Sequence, residues 1–151
     1  MSTVIRHSVF ETNSSSSHSI SIAGGEYKPD RLLVEDGVCR VYPGEFGWEV
    51  EDYYDAATKA SYCVTYIMNC TCDDQRDEEQ EMLRRVIAQN TGADEVQFVK
   101  SCDEFWPWGY IDHQSDRDEA DVCGAAFANE KSLSDFIFNP ASVLHTDNDN
   151  H

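Results

Sequence analysis

In Arg31-Leu32-Leu33-Val34-Glu35-Asp36-Gly37-Val38-Cys39-Arg40-Val41-Tyr42, two largely apolar runs flank Asp36-Gly37. That pair accepts the positive φ angles of a two-residue turn, so the segment predicts an antiparallel hairpin. Pro43-Gly44 ends the unit, and Gly24-Gly25 and Lys28-Pro29-Asp30 mark turns before it. Further upstream, residues 3–10 and 19–23 both have strand character, with Val4, Ile5, Val9 and Phe10 in the first run and Ile20 and Ile22 in the second. They predict a hairpin-like pair around a polar loop.

Downstream the period changes. Val50, Tyr53, Tyr54, Ala57, Ala60, Val64, Ile67 and Met68 recur at three and four, predicting an amphipathic helix over residues 49–69. A second helix is expected from Asp73 or Asp74, with acids in its first turn, Met82, Leu83, Val86 and Ile87 inward, and a stop at Gly92. Glu81 and Arg85 stand at the spacing of an ion pair on it. Val96, Phe98 and Val99 read as a strand. In Phe105-Trp106-Pro107-Trp108-Gly109-Tyr110-Ile111 the Pro and Gly argue against a helix, so an irregular strand across the core is expected. Ser132 and Asp135 resemble a capping box for a short helix through Phe136 and Ile137, stopped by Asn139-Pro140. Residues 142–145 then suit an edge strand. The predicted fold is α+β: a single domain over residues 1–145, a mainly antiparallel sheet packed against two central helices, and a polar tail over 146–151.

A chain of 151 residues fits one domain with a core of its own, and seven Phe, seven Tyr and three Trp supply apolar mass. Against 29 Asp and Glu stand 11 Lys and Arg, a net charge of −18. Self-repulsion on this scale opposes folding and favours basic partners. Direct binding of nucleic acid is disfavoured, because phosphate contacts need clustered Lys and Arg. No apolar run approaches the roughly 20 residues of a membrane span, and Met1-Ser2-Thr3-Val4-Ile5-Arg6 lacks the apolar core of a signal peptide, so a cytoplasmic protein without membrane contact is expected. The six cysteines are then reduced, and are read as core thiols or metal ligands before disulfides.

Acids cluster over residues 45–55, 73–81 and 103–121, and Asp73, Asp74, Asp77, Glu78 and Glu79 are the candidate partner-binding set. The richest polar stretch is Glu11-Thr12-Asn13-Ser14-Ser15-Ser16-Ser17-His18. Arg6, Asn13, Ser14, Ser15, Ser16 and His18 can converge on a small phosphate-bearing ligand, although Ser and Asn also satisfy their own backbone in plain turns. Asp112-His113-Gln114-Ser115 is a second polar block, with Gln114 and Ser115 as further ligand candidates. No catalytic residue is assigned; were the chain an enzyme, His18, His113 and Asp112 would be the candidates. Cys63, Cys70 and Cys72 are weak zinc candidates, since Cys-x-Cys is unusual and no CxxC pair occurs; no cofactor or metal is expected.

Val9-Phe10-Glu11-Thr12-Asn13-Ser14-Ser15-Ser16-Ser17-His18-Ser19 resembles the opening of a group of uncharacterised small proteins of tailed bacteriophages and prophages. Gly109-Tyr110-Ile111-Asp112-His113-Gln114-Ser115, Phe136-Ile137-Phe138-Asn139 and residues 146–150 are similar to later blocks of that group. The resemblance implies a phage origin, hence the cytoplasm of an infected bacterium, and carries no agreed activity. The expected function is an acidic accessory protein that binds a host or defence protein and inhibits or modulates it by occupying a basic nucleic-acid-binding surface. The alternative is a small enzyme or nucleotide-binding protein whose site joins the Ser-rich loop, the Asp112 block and the polar tail.

Overall fold

The computed structural model describes residues 19–46, 51–69, 73–111 and 125–146. They form an α+β fold. Strands β1 (Ser19–Ser21), β2 (Val34–Glu35), β3 (Val38–Val41), β4 (Glu45–Phe46) and β5 (Glu51–Tyr53) precede helices α1 (Ala56–Asn69) and α2 (Asp73–Thr91). Strands β6 (Glu95–Phe98) and β7 (Tyr110–Ile111) follow, then a 3-10 turn (Ala126–Ala128), helix α3 (Glu130–Phe138) and strand β8 (Val143–Thr146).

The Asp36-Gly37 hairpin forms as predicted. Asp36 has φ 53° and Gly37 φ 78°, and Val34 and Glu35 pair with Cys39 and Val38. Parallel pairing of β3 with β6 extends it to a sheet of order β2-β3-β6. Parallel neighbours need a long crossover, and the chain supplies one that contains α1 and α2. Alternation along β3 buries Cys39 and Val41 and exposes Arg40. The other sheets are antiparallel β1-β8-β5 and the parallel pair β4-β7. With three of the five ladders antiparallel, the strand arrangement is mixed: the connections through α1 and α2 return β6 and β7 parallel to β3 and β4, whereas β8, reached after α3, pairs antiparallel with β1 and β5.

The helix expected over residues 49–69 begins only at Ala56. The Asp55 carboxylate accepts the Thr58 amide (2.8 Å) and hydroxyl (2.6 Å), a cap that stops the helix propagating backwards. Ahead of it β5 pairs with β8, Tyr53 opposite Leu144, so Tyr53 fits the helical spacing without belonging to the helix. Helix α2 runs as expected and stops where Gly92 takes φ 76°. Glu81 pairs with Arg84 (3.0 Å) rather than Arg85, whose Nε reaches Glu130 on α3 (2.9 Å). In α3 the cap is Asn129, whose Oδ1 accepts the Ser132 amide (2.8 Å). Ser132 therefore sits inside the helix, and Asp135 turns to other partners.

Strand β8, expected at an edge, lies between β1 and β5 and extends to a buried Thr146, a residue expected in the polar tail. Residues 3–10, the expected partner of residues 19–23, lie outside the described residues; among the described strands β1 pairs with β8. Only Tyr110–Ile111 of the aromatic segment is strand, and Phe105 is 83% exposed rather than crossing the core. The Asp103 carboxylate accepts the amides of Phe105 (2.8 Å) and Trp106 (3.1 Å), which folds residues 103–106 into a turn.

Helix α1 is the axis of the core, buried from Tyr62 through Ile67. Leu83, Val86 and Ile87 of α2, Leu133, Phe136 and Ile137 of α3, and Ile20, Val41, Phe46 and Leu144 of the strands complete the cluster. Phe46 meets Tyr62 edge to face at 5.0 Å. Among the described residues no helix is long and apolar enough to cross a membrane.

Candidate functional site

The Ser-rich loop and the second polar block, with Arg6, Asn13, Ser14, Ser15, Ser16, His18, Asp112, His113, Gln114 and Ser115, lie outside the described residues, as do Cys70 and Cys72. Cys63 is fully buried in the α1 core, where burial pushes its thiol far above the ordinary value. No group of three or more His, Cys, Asp or Glu among the described residues is placed to hold a metal ion.

Of the partner-binding set, Asp73 opens α2, and Asp74, Asp77 and Glu78 are exposed while Glu79 is half-buried. Asp74, Asp77, Glu78 and Glu81 are separated by three and four residues, which places them side by side along one face. Only Glu81 of these four is neutralised by a described partner, Arg84. Asp74 lies in the first turn, where the helix dipole favours a negative charge; Asp77 and Glu78 lie beyond the reach of that effect. The result is a ridge of like charges on a rigid helix.

The structure assembles a second polar centre that the apolar periodicity concealed. Lys59 stands one turn into α1 and is completely buried. Its Nζ donates to the carbonyl oxygens of Asn139 (3.0 Å) and Ser142 (2.9 Å) and lies 5.8 Å from the centre of the Phe136 ring. Around it, the Asn139 side chain donates to Ala23 O (2.7 Å), and Ser142 Oγ donates to Asp135 O (2.7 Å) while accepting the Ala23 amide (2.9 Å). Asp30 accepts the Ala56 amide (2.8 Å) at the start of α1, and its own amide donates to Phe138 O (2.9 Å). These bonds tie the β1–β2 connection, α1 and the α3–β8 turn together.

Burial lowers the Lys59 ammonium to about 8, against the attraction of Asp30 and Asp55. Burial also works to raise the Asp55 carboxyl, but the Thr58 bonds outweigh it and hold that group below its usual range. Asp135 accepts the Tyr27 hydroxyl (3.1 Å) and the Lys131 ammonium (2.8 Å). Burial, assisted by Asp135, raises the Tyr27 phenol against the opposing bond of Ser134. A lysine near 8 has the basicity of a nucleophile, yet Lys59 has no exposed surface and spends two N–H groups on backbone carbonyls. Its chemistry is that of a clamp. The signal in the sequence was a lysine three residues from Ala56 and Tyr62 and four from Cys63, on the inward stripe of the helix.

Comparison with known proteins returns no matching family model, no similar curated protein and no similar solved structure.

Proposed function

We propose that this chain is a phage-encoded acidic accessory protein that acts in the host cytoplasm, binding a host or defence protein on a basic, nucleic-acid-binding surface and inhibiting or modulating it. The observation that carries this reading is the ridge of Asp74, Asp77 and Glu78 on α2, exposed and without ion pairs to other described residues. Like charges at three- and four-residue spacings weaken a helix, so the ridge is a liability for stability that recognition of a basic groove would explain. The net charge of −18 adds long-range attraction to any such partner. The resemblance of residues 9–19 to a phage protein group supports the setting.

The test is capture from lysate of an infected host, comparing wild type with a triple variant, Asp74→Lys, Asp77→Lys and Glu78→Lys. Recovery of a basic nucleic-acid-binding protein by wild type alone, with displacement of its nucleic acid, supports the reading. Equal recovery by both chains, or affinity indifferent to salt, overturns it.

A further inference from the structure

Strand β6 borders only β3 in its sheet, so its other side is an edge among the described residues. Glu95 N donates to Gly37 O (3.1 Å) and Val99 N to Val41 O (2.9 Å), which fixes the parity of the parallel ladder. Odd-numbered residues of β6 bond towards β3, and the N–H and C=O groups of Val96 and Phe98 point away from it. Beside this edge runs a groove of about 840 Å³, walled by Arg84, Arg85 and Ala88 of α2 and by residues 94–99. Both arginines are already engaged: Arg84 with Glu81 and over the Phe98 ring at 4.6 Å, Arg85 with Glu130. Asp94 and Glu95 are exposed at the start of the strand, and neither is paired with a described cation.

The geometry points to a strand-addition site at this edge: an extended, basic peptide segment of a partner protein pairs with the Val96 and Phe98 backbone while its cations meet Asp94 and Glu95. Backbone bonding supplies the register, and alternate side chains of the added strand lie against the small Ala88 surface. A second copy of this chain is the poorer occupant, because two molecules that each carry a net charge of −18 repel one another on approach. The site is separate from the α2 ridge and does not depend on that reading.

The probe is a capped heptapeptide of alternating lysine and valine, titrated onto the full chain while backbone amide exchange is followed by NMR. Binding should slow exchange at Val96 and Phe98 specifically, and methylating every internal peptide nitrogen should weaken it by at least about tenfold, the cost of a few backbone hydrogen bonds. Asp94→Asn with Glu95→Gln should weaken it about three- to tenfold and flatten its salt dependence. The α2 triple variant should retain the N-methylation effect, so that failure of the ridge proposal leaves this one standing. Equal binding of the methylated peptide, unchanged exchange at Val96 and Phe98, or self-association of the chain through this edge in place of peptide binding would overturn the proposal.

Discussion

Lys59 and Ser142, 83 residues apart in the chain, are joined by a 2.9 Å hydrogen bond from the ammonium to the backbone carbonyl, while the Ser142 hydroxyl serves the backbone of Ala23 and Asp135. One small residue thus links α1, the end of α3 and the segment after β1. Ser142→Ala keeps the carbonyl but strips the hydroxyl, leaving the buried Ala23 amide without its acceptor. We expect a loss of about 1–3 kcal/mol in unfolding free energy, read by denaturant titration. A change under about 0.5 kcal/mol would mean that another group replaces the hydroxyl.

Lys59 makes stability depend on pH in a direction opposite to that of an ion-paired lysine. Its folded value, about 8, lies below the ordinary 10.5, so between those limits the unfolded chain binds more protons. Stability from this group therefore rises with pH across the window and is flat below it. The neutral amine still has two N–H groups for Asn139 and Ser142, so both bonds survive deprotonation. Lys59→Met removes the linkage. At pH 7 the substitution leaves the Ser142 carbonyl without this donor but also relieves a buried charge, while Asn139 O keeps the Ser142 amide (2.9 Å). The two effects nearly offset, within about 1–2 kcal/mol. By pH 10.5 the wild type should have gained up to about 3 kcal/mol on the variant. Parallel stability curves for the two chains from pH 7 to 10.5 would exclude a depressed lysine.

Gly109 marks a close backbone approach. It has φ 79°, and a Cβ there would stand 2.2 Å from Gly44 O and 2.9 Å from Gly44 N, next to the bond from Tyr110 N to Gly44 O that begins the β4-β7 pair. Neither obstacle is a flexible side chain. Gly109→Ala should cost about 2–4 kcal/mol, from the φ penalty plus displacement of that pair. Gly92→Ala is the control, since Gly92 has φ 76° with nothing within 4 Å, and should cost only about 1 kcal/mol. Equal melting temperatures for the two variants would show that the approach to Gly44 carries no energy.

Local signals were legible and distant pairings were not. Asp36-Gly37 announced its hairpin because both residues must take positive φ, and Gly92 announced the end of α2 for the same reason. The start of α1 was misread because Tyr53 matches the helical period, whereas its pairing with Leu144 is a contact over 91 positions that no local pattern encodes. β8 reads as an edge from its place near the end of the chain, and becomes central only when β1 and β5 flank it. Among the candidate partner-binding residues, the exposure of Asp74, Asp77 and Glu78 side by side follows from helical spacing that the sequence carries, whereas Glu79 turns partly inward. Lys59 was hidden by the reverse effect, its stripe reading as apolar although its partners are backbone carbonyls.

The acid ridge yields a test in which stability and recognition move in opposite directions. Glu78 has Asp74 four residues before it and Glu81 three after it, both of like sign on the exposed face of α2. Each such pair costs a helix a few tenths of a kcal/mol, and reversal makes each attractive, so Glu78→Lys should raise unfolding free energy by about 0.5–1 kcal/mol at low salt. The gain should shrink by 1 M salt, where the screening length is about 3 Å. Asp74→Lys places a cation in the first turn, where the helix dipole opposes it, and should gain less or lose outright. If the ridge recognises a basic groove, both variants should bind the captured partner more weakly although one is the more stable protein. Thermal melts and affinities measured on the same preparations separate the outcomes: a more stable Glu78→Lys that binds as tightly as wild type would reduce the ridge to a solvated helix face.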